Sequence, residues 1–140
     1  MLWELGYQDM QSDFDNLGKD HPDTRLKVDL KGREPGDAFS NIPYEKSAVF
    51  LRMLEENIGR QKFDSFMNAY FSAHAFVPMT TEKCIAFMDK FLFAGDTNAR
   101  NKLMVKQWIY EPGLPANCPH TLPRRFAQVD SQRVNFEQKL

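Results

Sequence analysis

Apolar residues along this chain recur mostly at three- and four-residue intervals, and that spacing predicts a succession of helices. Trp3, Tyr7, Met10, Phe14 and Leu17 form the first stripe, and Gly18 stands where a helix commonly stops. A second helix begins near Asn41, a capping-type residue followed by Pro43 in the first turn, and ends at Gly59 with Ala48, Leu51, Leu54 and Ile58 as its inner stripe. Phe63, Phe66, Met67, Tyr70 and Phe71 make a third between Arg60 and Ala75, and the short join at Gly59 makes these two helices antiparallel neighbours. Thr80 and Thr81, with Glu82 behind them, cap a fourth that runs to about Phe93, turns Cys84, Ile85, Met88, Phe91 and Leu92 inward, and closes at Gly95. Asp96 or Thr97 starts a fifth that continues to Tyr110 with Leu103, Met104 and Trp108 inward.

Two stretches break this pattern. Residues 19–36 are rich in Asp, Gly and Pro, and within them Leu26, Val28 and Leu30 alternate with polar residues, the period of a short extended segment that has no partner strand elsewhere in the sequence. Pro112, Gly113, Pro115, Pro119 and Pro123 then impose a long non-helical run, beyond which Phe126, Val129, Val134 and Phe136 outline a weak last helix from Arg125. The expected fold is all-α, an antiparallel helical array with one short extended segment. The proline-rich run reads as a boundary between a unit of residues 1–115 and a linker and first helix, residues 116–140, of a second.

Composition is that of a chain able to bury a core: of 140 residues, 42% are hydrophobic and 26% charged. No apolar stretch approaches the ~20 residues of a membrane span, and the first residues lack the basic start and apolar run of a signal peptide. A net charge of -1 offers no electrostatic reason for a nucleic acid or an anionic membrane as partner. Cys84 falls in a helical stripe and Cys118 in the proline-rich run, which predicts two free thiols and no disulfide framework.

The chemistry is sparse. His21, His74 and His120 stand apart, none in an H-E-x-x-H arrangement, and Cys118-Pro119-His120 lacks the further ligands that a metal needs, so no metal is expected on this chain alone. No Gly-x-Ser-x-Gly elbow or phosphate-binding glycine loop is present, and Glu55-Glu56 reads as a solvated helix face. The stretch Ala38-Phe39-Ser40-Asn41-Ile42-Pro43-Tyr44-Glu45-Lys46 places a tyrosine in the first turn of a helix. Position alone leaves two readings: a packed tyrosine whose hydroxyl caps the helix, or a functional phenol.

That stretch resembles the F/Y-S-x-V-P-Y-E-K-G segment of M1-family zinc aminopeptidases, in particular the branch that includes leukotriene hydrolase and cold-active bacterial aminopeptidases. His21-Pro22-Asp23-Thr24 and Leu26 to Leu30 resemble the family's H-P-x-T-x-L-x-V-D-L; Thr80-Thr81 resembles the start of its T-T-x-x-W helix. Trp108-Ile109-Tyr110-Glu111-Pro112-Gly113-Leu114-Pro115 is similar to its W-L-Y-x-P-G-L-P ending. The resemblance covers most of the chain from Gly6 to Pro115 in the right order. Gly36, where relatives often carry an acidic residue, and Ser47, in place of a glycine, depart from it, as does Phe39 where the branch carries tyrosine.

The resemblance implies a segment from the C-terminal half of a thermolysin-like catalytic domain, running into a helical C-terminal domain. It implies Tyr44 as the phenol that hydrogen-bonds the tetrahedral oxyanion, with Phe39 and Glu45 at the substrate pocket. Tyrosine suits that task, because a phenol with an ordinary pKa of ~10 stays a donor at neutral pH. It further implies zinc in the parent enzyme, a peptide substrate, and a zinc-bearing N-terminal catalytic half as partner. The expectation is therefore a chain that is inactive by itself and prone to self-association; the alternative is a stand-alone helical interaction module.

Overall fold

The computed structural model describes residues 2–119 and 124–137, which form seven α-helices and two short 3-10 turns. No strand occurs among them, so the chain is all-α as its periodicity predicts. Helix α1 (Leu2–Leu17) ends at Gly18, whose N–H bonds the Phe14 carbonyl at 2.9 Å. A 3-10 turn at Pro22–Thr24 leads into the extended stretch and a second turn at Pro35–Ala38. The extended stretch makes no ladder, having no second strand to pair with; its Lys27 N–H bonds the Ile109 carbonyl at 3.0 Å.

Helix α2 (Ile42–Ile58) lies against α1 on one side and α3 (Arg60–Ala73) on the other. Asn41 does not cap it by its side chain. Its N–H instead donates to the Asp13 carboxylate on α1 at 2.7 Å, so the start of α2 is held from a neighbouring element. The inner face of α2 also differs from the expected stripe. Ala48, Leu51 and Ile58 are half-buried, whereas Ile42, Lys46, Val49, Phe50, Met53 and Leu54 are buried, because neighbours cover this central helix on more than one side.

Gly59 alone joins α2 to α3. Its φ of +90° is open to glycine and strained for other residues, and its N–H caps α2 at the Glu55 carbonyl while its own carbonyl accepts from Phe63. Helix α4 (Thr81–Phe91) is capped as expected: the Thr80 hydroxyl accepts from the Lys83 N–H at 3.3 Å. Between α3 and α4 an aromatic series runs outward, with Phe66, Tyr70 and His74 around Phe87, which stacks on Phe91 at 4.4 Å. Phe71 and Phe91, both predicted inward, lie at its exposed end.

The single helix expected from Thr97 to Tyr110 is two, α5 (Thr97–Lys102) and α6 (Val105–Tyr110). Asp96 caps α5 through the N–H groups of Asn98 and Ala99. Met104, at φ +54°, turns the chain between the two helices, and the Asn117 side chain donates to the Leu103 carbonyl at 2.9 Å. No glycine or proline marks this break; a contact from residues further along the chain supports it. The same Asn117 accepts from the Trp108 indole at 3.0 Å, and Cys118 is buried in the common core. Both cysteines are free thiols. Helix α7 (Arg124–Glu137) carries Val129, Val134 and Phe136 exposed.

Candidate functional site

The stretch before α2 is built to present side chains outward. Phe39 is extended after the second 3-10 turn, and Pro43 fits the first helical turn, where its missing N–H costs nothing. Phe39 is 80% and Tyr44 64% exposed, and both line an open groove of about 630 Å³ together with Leu26, Lys27, Met79 and Glu82. Tyr44's backbone is fixed by its N–H to the Asn41 carbonyl at 3.0 Å and by its carbonyl, which accepts from Ser47. Its hydroxyl has no hydrogen-bond partner among the described residues. A tyrosine packed as a helix cap would be buried and bonded; Tyr44 is neither.

Glu45 does not join this groove. It is half-buried, and its carboxylate stands so close to Gly6 of α1 that a Cβ there would collide with it. The structure thus brings Phe39 and Tyr44 together and places Glu45 at the α1 contact. Across the groove, Lys27 pairs with Glu82 and lies 5.6 Å from the Tyr110 ring centre, tying the extended stretch to α4 and α6.

The buried charge that periodicity missed is Lys46. It is fully buried, and its ammonium donates to the carbonyls of Thr24 at 2.9 Å and Glu111 at 3.0 Å. Burial, and next the charge of Arg25, push its pKa down to about 8. Burial pushes the nearby Cys118 thiol up to about 11. The signal was present in the sequence: Ile42, Lys46, Val49, Phe50 and Met53 share one helical face, with a lysine in a row of apolar residues.

Thr24 extends this knot. Its hydroxyl donates to the His21 carbonyl at 2.7 Å and accepts from the Gly113 N–H at 2.9 Å. Gly113 has φ +68°, and a Cβ there would stand 3.1 Å from the Lys19 carbonyl oxygen, so this close approach requires glycine. The three motifs read in the sequence, around Thr24, Lys46 and Gly113, therefore meet in one buried polar cluster behind Tyr44.

Next to it, buried Asp23 receives both arms of the Arg33 guanidinium at 2.6 and 2.7 Å, which holds its carboxyl below the usual carboxylate range. A depressed carboxyl adds stability that is fully present above its unfolded pKa and is lost as pH falls through the folded one. Below about pH 4, the urea midpoint of the parent chain is therefore expected to fall more steeply than that of Asp23→Asn. Parallel curves would remove Asp23 from the account of acid stability.

The described residues do not fit a zinc site. They hold no group of three or more His, Cys, Asp or Glu side chains able to share a metal. His21 Nδ1 accepts from the Asp23 N–H, and His74 Nδ1 bonds the Tyr70 carbonyl. His120 lies outside the described residues.

An exposed phenol at the head of α2, over a groove walled by the extended stretch and α4, is set in a chain whose residues 3–108 match the peptidase family M1 domain. The chain belongs to that family, whose members are zinc-dependent metallopeptidases. Leucine aminopeptidase 2 from Aspergillus terreus is 41% identical over 114 residues, 79% of this chain and 18% of that protein. Its counterpart from Ajellomyces capsulatus is 39% identical over the same shares. Among solved structures, yeast LTA4 hydrolase in complex with bestatin superposes with a TM-score of 0.84 at 26% identity, over 99% of this chain and 23% of that one. Native leukotriene A4 hydrolase from Saccharomyces cerevisiae gives the same score over 22% of its length. The chain thus spans about a fifth of the length of the relatives it matches.

Proposed function

We propose that this chain is the part of a zinc-dependent aminopeptidase that supplies the oxyanion-stabilising phenol, Tyr44, for hydrolysis of N-terminal peptide bonds. The observation that carries the reading is a phenol in a fixed first helical turn, exposed over a groove and without a partner of its own. There it donates a hydrogen bond to the oxygen that becomes negative when water attacks the peptide carbonyl. Phe39 forms an apolar wall beside it, and Glu45 acts from behind, through the α1 contact. Zinc belongs to the parent enzyme and to residues outside the described set.

In this reading the chain needs a zinc-bearing catalytic half as partner and is silent alone. Its surface supports that need. Phe71, Phe76 and Phe91 are among the apolar side chains it leaves uncovered. Apolar surface left open in this way favours self-association when the partner is absent.

The test compares the purified chain with the same chain mixed with a separately produced M1 segment carrying the family's H-E-x-x-H zinc site. Zinc content and aminoacyl-arylamide hydrolysis are measured in both. Activity is expected only in the mixture. Turnover by the chain alone that survives a chelator, or a folded monomer silent in both samples, would overturn the reading; the second result favours a stand-alone interaction module.

A further inference from the structure

Lys46 is a full charge in a fully buried position, and its two bonded acceptors are main-chain carbonyls on two different loops. A residue of that kind is costly to bury, and hydrocarbon would fill the same space more cheaply. What the ammonium adds is geometry: donors that fix one helix against two loops at once.

We propose that Lys46 is the positioning residue for Tyr44, its ammonium group holding the first turn of α2 against the Thr24 and Glu111 loops and so setting where the phenol stands over the groove. The proposal rests on the reading of Tyr44 as the oxyanion donor.

Three observations carry it. Lys46 follows Tyr44 by two residues, about 200° around the helix, so one side chain faces the core while the other faces the groove. The two loops that Lys46 bridges are themselves joined, by the Gly113 N–H to the Thr24 hydroxyl at 2.9 Å and by the Lys27 N–H to the Ile109 carbonyl at 3.0 Å. The first of these loops continues directly into Leu26 and Lys27, which form a wall of the same groove. Helix and wall are thus referenced to one ammonium group. The Asn41 side chain does not cap α2, and the side chains that accept from the main chain at its start are the Asp13 carboxylate, from the Asn41 N–H, and the Ser40 hydroxyl, from the Ile42 N–H.

Amide hydrogen exchange on this chain reads the first turn directly, because the N–H groups of Tyr44 and Glu45 both bond the Asn41 carbonyl. In Lys46→Met these two amides are expected to exchange about tenfold faster or more, while amides within α3 change by less than about threefold. Equal acceleration in α3, or none at Tyr44 and Glu45, overturns the proposal. If Lys46→Met does not fold, Thr24→Val, which removes the hydroxyl joining the two loops, is judged by the same pattern.

A second readout uses the active mixture of the chain with the zinc-bearing segment. Misplacement of a reacting group by about 1 Å can cost about 10²-fold in rate, so Lys46→Met is expected to lower kcat by up to that factor with KM little changed. In a Tyr44→Phe background it should have no further effect on kcat, since the group it positions is already gone. Independent, multiplying effects of the two substitutions sink the Lys46 proposal alone. A Tyr44→Phe variant of undiminished activity brings down the reading of Tyr44 instead, and the exchange result still stands by itself.

Discussion

Tyr44→Phe is expected to lower kcat of the reconstituted peptidase by about 10²- to 10³-fold, the cost of removing one oxyanion donor of ~2.7 to 4 kcal/mol. The substitution deletes a single oxygen and keeps the ring on the groove that Tyr44 lines. An oxyanion donor acts on charge that develops only in the transition state, so under this reading kcat and kcat/KM should fall together while KM moves little. Fold stability should change by no more than about 0.5 kcal/mol, as for other exposed groups away from special features. Steady-state kinetics with an aminoacyl-arylamide, beside urea denaturation of both variants, separates the effects. A loss under about fivefold in kcat would be too small for a primary oxyanion donor and would assign Tyr44 to substrate binding or to neither role.

Trp108→Ala is expected to have the largest effect on stability, about 3–5 kcal/mol. Trp108 is fully buried, its ring centre lies 5.6 Å from that of Phe50 on α2, and its indole N–H bonds Asn117. Truncation opens a cavity at the meeting of α2 and α6 and strips Asn117 of a donor, at the residue that also supports the break between α5 and α6 through the Leu103 carbonyl. Domains of this size are stable by only about 5–15 kcal/mol in total, so the loss is a large share. Trp108→Phe keeps most of the ring and forfeits the hydrogen bond, and should cost about 1–3 kcal/mol. Urea midpoints at constant m-value measure both; an alanine variant within about 1.5 kcal/mol of the parent would show that the site collapses and that Trp108 is not the keystone of this junction.

Much of the helical framework was legible because each helix announces itself locally. The stripe of α1, the Thr80 cap of α4, the Asp96 cap of α5 and the glycine between α2 and α3 all act within a few residues of the structure they specify. The candidate site was legible in part for the same reason: Pro43 and Tyr44 mark a first helical turn, and the exposure of Tyr44 follows from its place outside the apolar row. Glu45 was placed with the pocket through resemblance, yet its direction depends on Gly6, nearly forty residues earlier. The separation of α5 from α6 escaped because no residue at the break demands it; Asn117 supports it from beyond both helices.

The amino-acid order by itself thus determined most of the helical segments, the Thr80 and Asp96 caps, the Gly59 join, and the membership of a peptidase family through motifs kept in sequence. Only the tertiary structure decided that those motifs converge: Thr24, Lys46, Glu111 and Gly113 lie up to 89 residues apart and close one buried cluster. The reason is physical. Periodicity and capping are short-range and can be read from neighbours in the chain, whereas a lysine belongs in a core only if distant carbonyls are there to receive it.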